Sequence, residues 1–404
     1  MKPFGPFLFF PLVFFLACAG EEVPSVARED LFSLEIGRLE DQIDLFNLEG
    51  RGNTAKTALA MRDGLFYISN GSGQKIVRYT SYGDLLFMIY NKETNPQPLT
   101  LSNDIKDDRV VTRWASTYPL LSPGVITIDS RKHIYAGDRL PYERYGYDGE
   151  NKALLDGLVL HFDEAGRFVE YLGQEGIGGT PFPLINGLYA SVQDEIAVVC
   201  RLPSGWNIYW FDGSGMLLYV IPIRNDTIPV PPDRADALPA LETIIAAPDK
   251  RQLFIKVDYY RPVFDESTNT GSGMEPDSSV IWVMDVESGS YVDTAEVPFF
   301  EVSAGQNRRE SEKMFYSMMG VIRGGWVFLS FPVNEGYSLL ILGSSGVSGR
   351  DEQRRGFIRV DNEELQFNAF NVSEDGIVSA LLASNWEAKL VWWRTDRIAG
   401  EVTP

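Results

Sequence analysis

The sequence predicts an all-β protein: a six-bladed β-propeller of four-stranded antiparallel blades, its ring closed by an N-terminal strand. Three observations lead there. Past residue 50 the chain shows almost no helical periodicity. Short runs rich in Val, Ile, Phe, Tyr and Trp alternate instead with Gly, Asp and Ser turns, the pattern of strands and hairpins. These runs recur six times as one unit, roughly every 50 to 75 residues, which suits propeller blades carrying insertions.

The first unit is the most legible. Residues 59–64 turn into 65–70, a Gly/Ser loop leads to 75–79, and a Gly-Asp turn leads to 85–90. The second unit uses 124–129, 133–138 and 158–172; the third uses 189–194, a strand ending at Cys200, and 208–221. The fourth runs through 244–249, 253–257 and 280–292, the fifth through 319–324, 326–330 and 339–343. The sixth has 370–376, 377–382 and 390–393 but no fourth strand. Asp63, Asp129, Asp194, Asp249, Gly324 and Asp375 mark the same first turn each time. Residues 30–36 are strand-like with no unit of their own. Paired beside 390–393 they would close the ring and remove exposed sheet edges, making residues 30–404 one domain.

Ahead of the repeats, Lys2 precedes an apolar run at 7–16 and the small residues Ala17-Cys18-Ala19-Gly20. A basic start, a short apolar core and small residues read as a secretory signal peptide over 1–17. The run is too short for a transmembrane helix, which needs about 20 apolar residues. Leu16-Ala17-Cys18 resembles a bacterial lipobox, with Phe15 where Leu is usual; lipidated Cys18 would then lead a tether over 18–29. The alternative is cleavage after Ala19 at an A-x-A site. The first reading anchors the exported protein to a bacterial membrane, facing the periplasm or the cell surface. Cys200 ends an apolar run and reads as a buried small hydrophobe. The formal charge of −20 disfavours nucleic acid and anionic lipid headgroups as partners of the surface as a whole.

The stretch Leu65-Phe-Tyr-Ile-Ser-Asn-Gly-Ser-Gly-Gln-Lys-Ile-Val-Arg-Tyr-Thr-Ser-Tyr-Gly-Asp-Leu-Leu resembles an NHL repeat, and residues 134–168 match one more weakly around an insertion. With its lipoprotein-like start, the chain is similar to NHL-like lipoproteins of spirochaetes. The resemblance implies six blades and a binding role; propellers host many functions, so it implies no particular one.

In such a blade the second-to-third and fourth-to-first connections share one face, and the tight hairpins share the other. The long segments are 91–117, 138–156, 223–241, 259–279 and 299–317, all on the first face, which is where a site is expected. Tyr142, Arg144, Tyr145 and Tyr147, with Tyr259, Tyr260 and Arg261, combine types enriched where proteins bind one another. An envelope protein partner is the first expectation; a glycan stacking on tyrosine is another. Asn70, Asp138, Arg201 and Asp258 end successive second strands and are expected around the channel mouth. Such a ring could hold Ca²⁺ as in calcium-dependent propeller hydrolases and lactonases, although Arg201 argues against a simple cation cage. His133 and His161 are the only histidines; without a cysteine pair they make no ordinary zinc site, and no Ser-His-Asp constellation is apparent. Residues 176–179 (Gly-Ile-Gly-Gly) lack the strand-to-helix context of a nucleotide fingerprint. No catalytic residue, resident metal or cofactor is therefore expected; the weighed alternatives are the calcium-dependent enzyme and carbohydrate capture.

Overall fold

The first hairpin shows how local chemistry starts blade 1. Asp63 and Gly64 both adopt positive φ, 51° and 71°. That is the backbone of a two-residue type I′ turn, whose twist matches the strands it joins. The computed structural model describes residues 23–46, 56–102, 113–173, 181–191, 193–264, 270–302, 312–343, 352–361 and 364–399.

Six antiparallel sheets follow one another along the chain. Blade 1 is Thr57–Arg62, Leu65–Asn70, Lys75–Thr80 and Leu85–Tyr90, from the channel outward. Blade 2 is Ile126–Ile128, Ile134–Arg139, Gly157–Phe162 and Phe168–Tyr171; blade 3 is Leu184–Ala190, Ile196–Leu202, Gly205–Phe211 and Leu217–Arg224. Blade 4 is Leu238–Ala246, Gln252–Phe264, Gly271–Asp285 and Ser290–Glu296. Blade 5 is Ser317–Val321, Trp326–Val333, Gly336–Gly343 and Glu352–Arg359. Blade 6 is Phe367–Val372, Val378–Ala383 and Glu387–Trp393, completed by the N-terminal strand Arg28–Ile36. The inner strands touch in ring order, blade 6 returning to blade 1. The protein is a six-bladed β-propeller, closed as the sequence predicts, with Phe32 opposite Leu390 and Leu34 opposite Ala388.

The rims differ from the expected uniform four strands. Blades 1, 5 and 6 each gain a fifth strand running parallel to the outermost: Trp114–Thr117, Ser25–Val26 and Gln42–Ile43. Among the described residues sheet structure therefore begins at Ser25, inside the segment read as tether. The rest of that segment, 18–22 with the candidate lipidation residue Cys18, and the signal-like 1–17 lie outside the described residues apart from Val23 and Pro24.

The core is divided among the six blade interfaces. Ile244 packs toward blade 3 while Ile245 packs toward blade 5; Phe66 faces blade 6 while Tyr67 faces blade 2. Both faces of a middle strand are buried, which is why runs such as Ile196–Leu202 are almost continuously apolar rather than alternating. Neighbouring blades also lock through their outer turns. Arg78 sits among the rings of Tyr67, Phe87 and Trp114 and donates to Glu164 O of blade 2. Gly166 has φ 68°, and a methyl there would overlap the Phe87 ring.

The hairpin turns on the plain face form a second ring. Arg62 Nη1 of blade 1 donates to Ile128 O of blade 2 (3.1 Å), and Ser130 N donates to Asp194 of blade 3 (2.8 Å). Glu195 pairs with Arg251 of blade 4 (2.6 Å), and Asp249 accepts from Gly324 N of blade 5 (2.9 Å). Arg323 N donates to Glu374 O of blade 6 (3.2 Å), and Glu374 pairs with Arg62 (3.2 Å). Of the turn residues repeated in the sequence, Asp194, Asp249, Gly324 and Asp375 thus bond between blades, while Asp129 holds Arg131 and His133 of its own blade.

Leu390→Ala removes a fully buried side chain at the closing seam. It is expected to lower unfolding free energy by about 2–5 kcal/mol in denaturant titrations. Leu217→Ala on the exposed rim of blade 3 should stay within about 0.5 kcal/mol.

Candidate functional site

The insertion of blade 2 on the loop-rich face is built as a small rigid unit. Pro141 leads into a 3₁₀ turn, Tyr142–Arg144, with Arg144 N donating to Pro141 O and Tyr145 N to Tyr142 O. A hairpin follows, Gly146–Asp148 with Ala153–Leu155. Asp148 caps its turn, accepting from Glu150 N and Asn151 N (3.0 Å each) and from Asn151 Nδ2 (2.6 Å). Those bonds, the Asn151 side chain first, hold its carboxyl below the usual range. Leu140 N donates to Asp156 O (2.7 Å), tying both ends of the insertion together. Two of its three tyrosines point outward, Tyr142 81% exposed and Tyr147 67%, whereas Tyr145 is half-buried against the core between blades 1 and 2. Leu154, 50% exposed, lies opposite Tyr147 across the hairpin, and Tyr142 meets Tyr145 edge-on with centroids 5.3 Å apart.

The other tyrosine-arginine cluster is not the loop the sequence suggests. The middle strands of blade 4 run on past the blade as a two-stranded ribbon, Gln252–Phe264 with Gly271–Asp285. Tyr259 lies inside this framework rather than at the surface. It is fully buried, donating to Pro229 O (2.5 Å) and accepting from Trp282 Nε1 (2.9 Å), so it cannot meet a partner in this state. Tyr260 packs edge-on against Phe315, and Arg261 pairs with Asp277 at 2.7 Å. Phe264 and Met274 are the exposed apolar residues near the ribbon's end, which sequence reading missed. Both fall at turn-like, polar sequence, and only the ribbon's register shows them standing clear of the blade.

The expected polar ring at the channel mouth is not a ring of free ligands. Asn70 is buried and clamps the chain after the closing strand, donating to Asp44 O (2.6 Å) and accepting from Asp44 N (3.1 Å). Beside it, fully buried Lys75 donates to Leu39 O (2.5 Å), and burial pushes its amine down to about 8. Asp138 accepts from Leu121 N, Ser122 N and Arg139 N at 3.0, 2.6 and 2.8 Å, anchoring the loop between blades 1 and 2. Burial raises its carboxyl in spite of those donors. Asp258 takes Lys256 Nζ (2.7 Å) and Ser279 Oγ (2.6 Å). Only Arg201 is exposed, its guanidinium over the Trp206 ring. Among the described residues no three His, Cys, Asp or Glu side chains converge as a metal site. The channel beneath is a cavity of about 300 Å³ with Ala58, Ala190, Ala246 and Gly320 among its walls and the Arg62–Glu374 pair in its lining.

The two histidines, in contrast, meet. His133 Nδ1 lies 2.9 Å from His161 Nε2, and His161 Nδ1 lies 3.2 Å from Glu170. With Glu170 ionised, His161 Nδ1 donates to it, which leaves Nε2 to accept from His133 Nδ1. Tyr135 stacks on His161 at 4.3 Å, and Asp129, held by Arg131, lies behind His133. The pairing of Tyr135 with His161 puts His133 next to its partner, a register hidden in the sequence by the blade 2 insertion. Cys200 is wholly buried, and burial raises its thiol. The Gly-rich residues 176–179 lie outside the described residues.

No protein-family model matches the sequence, and no curated protein matches it. Solved structures similar to it include hydrazine synthase of Kuenenia stuttgartiensis, 11% identical over 81% of this chain and 80% of that one, TM-score 0.41. The propeller of Dos1 is 8% identical over 87% and 81%, TM-score 0.37. A luciferin-regenerating enzyme is 9% identical over 84% and 90%, TM-score 0.35. Likenesses this distant do not extend to activity.

Asp138→Ala strips three backbone donors of their acceptor and is expected to cost about 1–3 kcal/mol of stability. Calcium titrated into wild type and variant should shift the melting temperature of neither. The histidine pair sets a second expectation. Burial holds His161 below the usual imidazole range, so the folded state binds fewer protons there than the unfolded chain. The network's contribution is complete above the unfolded value of about 6.5 and is lost as pH falls below it. His161→Phe should flatten the fall of melting temperature between about pH 6.5 and 5 relative to wild type.

Proposed function

We propose that the protein is a membrane-tethered, non-enzymatic binding or assembly module of the cell envelope. Residues 1–17 direct export, lipid on Cys18 holds the chain at a bacterial membrane, and the propeller meets an envelope protein through its loop-rich face. Its blades are diverged NHL repeats; the stretch 65–86 carries the likeness and makes up the middle of blade 1.

One observation carries this reading: the blade 2 insertion holds Tyr142 and Tyr147 out in solvent on a turn and hairpin held together by their own hydrogen bonds. Exposed tyrosine with two side-chain torsions loses little entropy when covered, offers large apolar area and keeps a hydroxyl for hydrogen bonding. The calcium-dependent enzyme has less support, because Asn70, Asp138 and Asp258 are spent on internal partners. Carbohydrate capture is the second reading, favoured by the open ring of Tyr142.

Cross-linked co-purification from intact cells tests the proposal, comparing wild type with a variant in which Tyr142, Arg144, Tyr145 and Tyr147 become Ala. A specific protein recovered with wild type and lost with the variant is the expected result. No protein in either sample sinks the assembly reading, and cell-wall glycan retained by wild type alone would put carbohydrate capture in its place.

A further inference from the structure

We propose that the outer edge of blade 5 is the membrane-facing side of the propeller and pairs with anionic lipid headgroups, leaving blade 2 on the far side. The assignment rests on the lipid tether proposed above, and it follows from where that tether joins the fold.

Pro24 O accepts from Phe357 N (3.0 Å), and Ser25–Val26 lies beside Glu352–Arg359, the outer strand of blade 5. The five residues between Cys18 and Pro24 span about 20 Å at most when fully extended. In a ring of six, blade 2 stands opposite blade 5. Four strands about 4.8 Å apart on each side of a channel put opposite rims on the order of 40 Å apart. The tether therefore keeps the blade 5 edge near the bilayer and leaves blade 2 out of its reach when the ring stands on edge.

Charge selects that posture. In a chain of formal charge −20, the outer strand of blade 5 carries Arg354, Arg355 and Arg359, of which Arg354 pairs with Glu352 and Arg359 with Glu335. The helix Asp396–Ala399 packs on the outer strand: Arg354 Nη1 donates to Ile398 O (2.6 Å), and a methyl added at Gly356 would meet both Ile398 and Val26. Flanking this junction of tether, strand and helix, Arg355 and Arg397 are exposed, and neither forms an ion pair with a described residue. Arginine forks match phosphate geometry, and basic side chains next to a negatively charged leaflet are drawn to it. The plain face leans the other way: Asp63, Glu164, Asp212 and Asp285 stand in its turns outside any ion pair among the described residues, against Lys132 and Lys250, while Asp163 is paired with Arg167 and Glu287 with Arg251. Lying on that face would set these carboxylates against the headgroups. On edge, the loop-rich face and the Tyr142–Tyr147 unit stay open to a partner.

The test uses the lipidated full chain on phosphatidylcholine vesicles with and without phosphatidylglycerol. A fluorophore is placed on Gln353→Cys (blade 5) or Val169→Cys (blade 2), and the vesicles carry a headgroup quencher. Cys200 is fully buried and stays unlabelled. Quenching at 353 and not at 169 is expected, stronger with phosphatidylglycerol. Arg355→Ser with Arg397→Ser should weaken the anionic-lipid dependence about fivefold per arginine. A lipidated chain quenched equally at both labels overturns this assignment alone. A chain whose mass shows no lipid at Cys18 overturns the tether and the assignment with it.

Discussion

The backbone ladder between Arg28–Ile36 and Glu387–Trp393 is the interaction on which the rest of this structure depends. It joins residues as distant as Glu29 and Trp392, whose side chains also bond (2.9 Å) across 363 positions. Five blades can be assembled from neighbours in sequence; the sixth needs a strand from the other end of the chain. Until it docks, Glu387–Trp393 presents an open edge, and the interface between blades 6 and 1 lacks Leu34 and the packing of Phe32. The loop-closure entropy of so long a connection grows only slowly with length, so the seam is affordable once formed. The same segment then extends both ways, with Ser25–Val26 capping blade 5 and Asp44 held by Asn70 of blade 1.

Closure makes the interfaces equivalent in kind. Each blade buries one face against the preceding blade and the other against the next, and the plain-face turns bond around the ring from Arg62 back to Arg62. With both faces and one end occupied in this way, chemistry is confined to the channel, the rims and the loop-rich face. The polar residues nearest the channel mouth hold loops in place. Asp138 gives its carboxylate to three backbone N–H groups and Asp258 to Lys256, so the framework uses what a metal site would need.

The segments left to vary are those that frame does not use. The blade 2 insertion is held by its own hydrogen bonds and turns Tyr142 and Tyr147 out; the blade 4 ribbon hides Tyr259 and extends Phe264 and Met274 beyond the sheet. A rigid ring with one elaborated face leaves that face free, while the N-terminal strand Ser25–Val26 leads off from one rim.

The sequence by itself determined the blade count, the inner part of most blade strands and the closing segment, because each rests on local signals: turn residues such as Asp63-Gly64, whose positive φ suits a tight hairpin, and apolar runs that two-sided burial imposes. It also pointed to the tyrosines of the blade 2 insertion, since short-range turn chemistry sets their exposure. What only the tertiary structure decided is which polar groups meet. Asn70 finds Asp44, His133 finds His161, and Tyr259 turns inward to Pro229, each across a register or a loop path that no local pattern encodes. The parallel rim strands were equally illegible, being two to four residues long and defined only by the neighbour they lie against. A hydrogen-bonding side chain shows in sequence what it could donate or accept; its actual partner is fixed only when the closed ring brings distant backbone within reach.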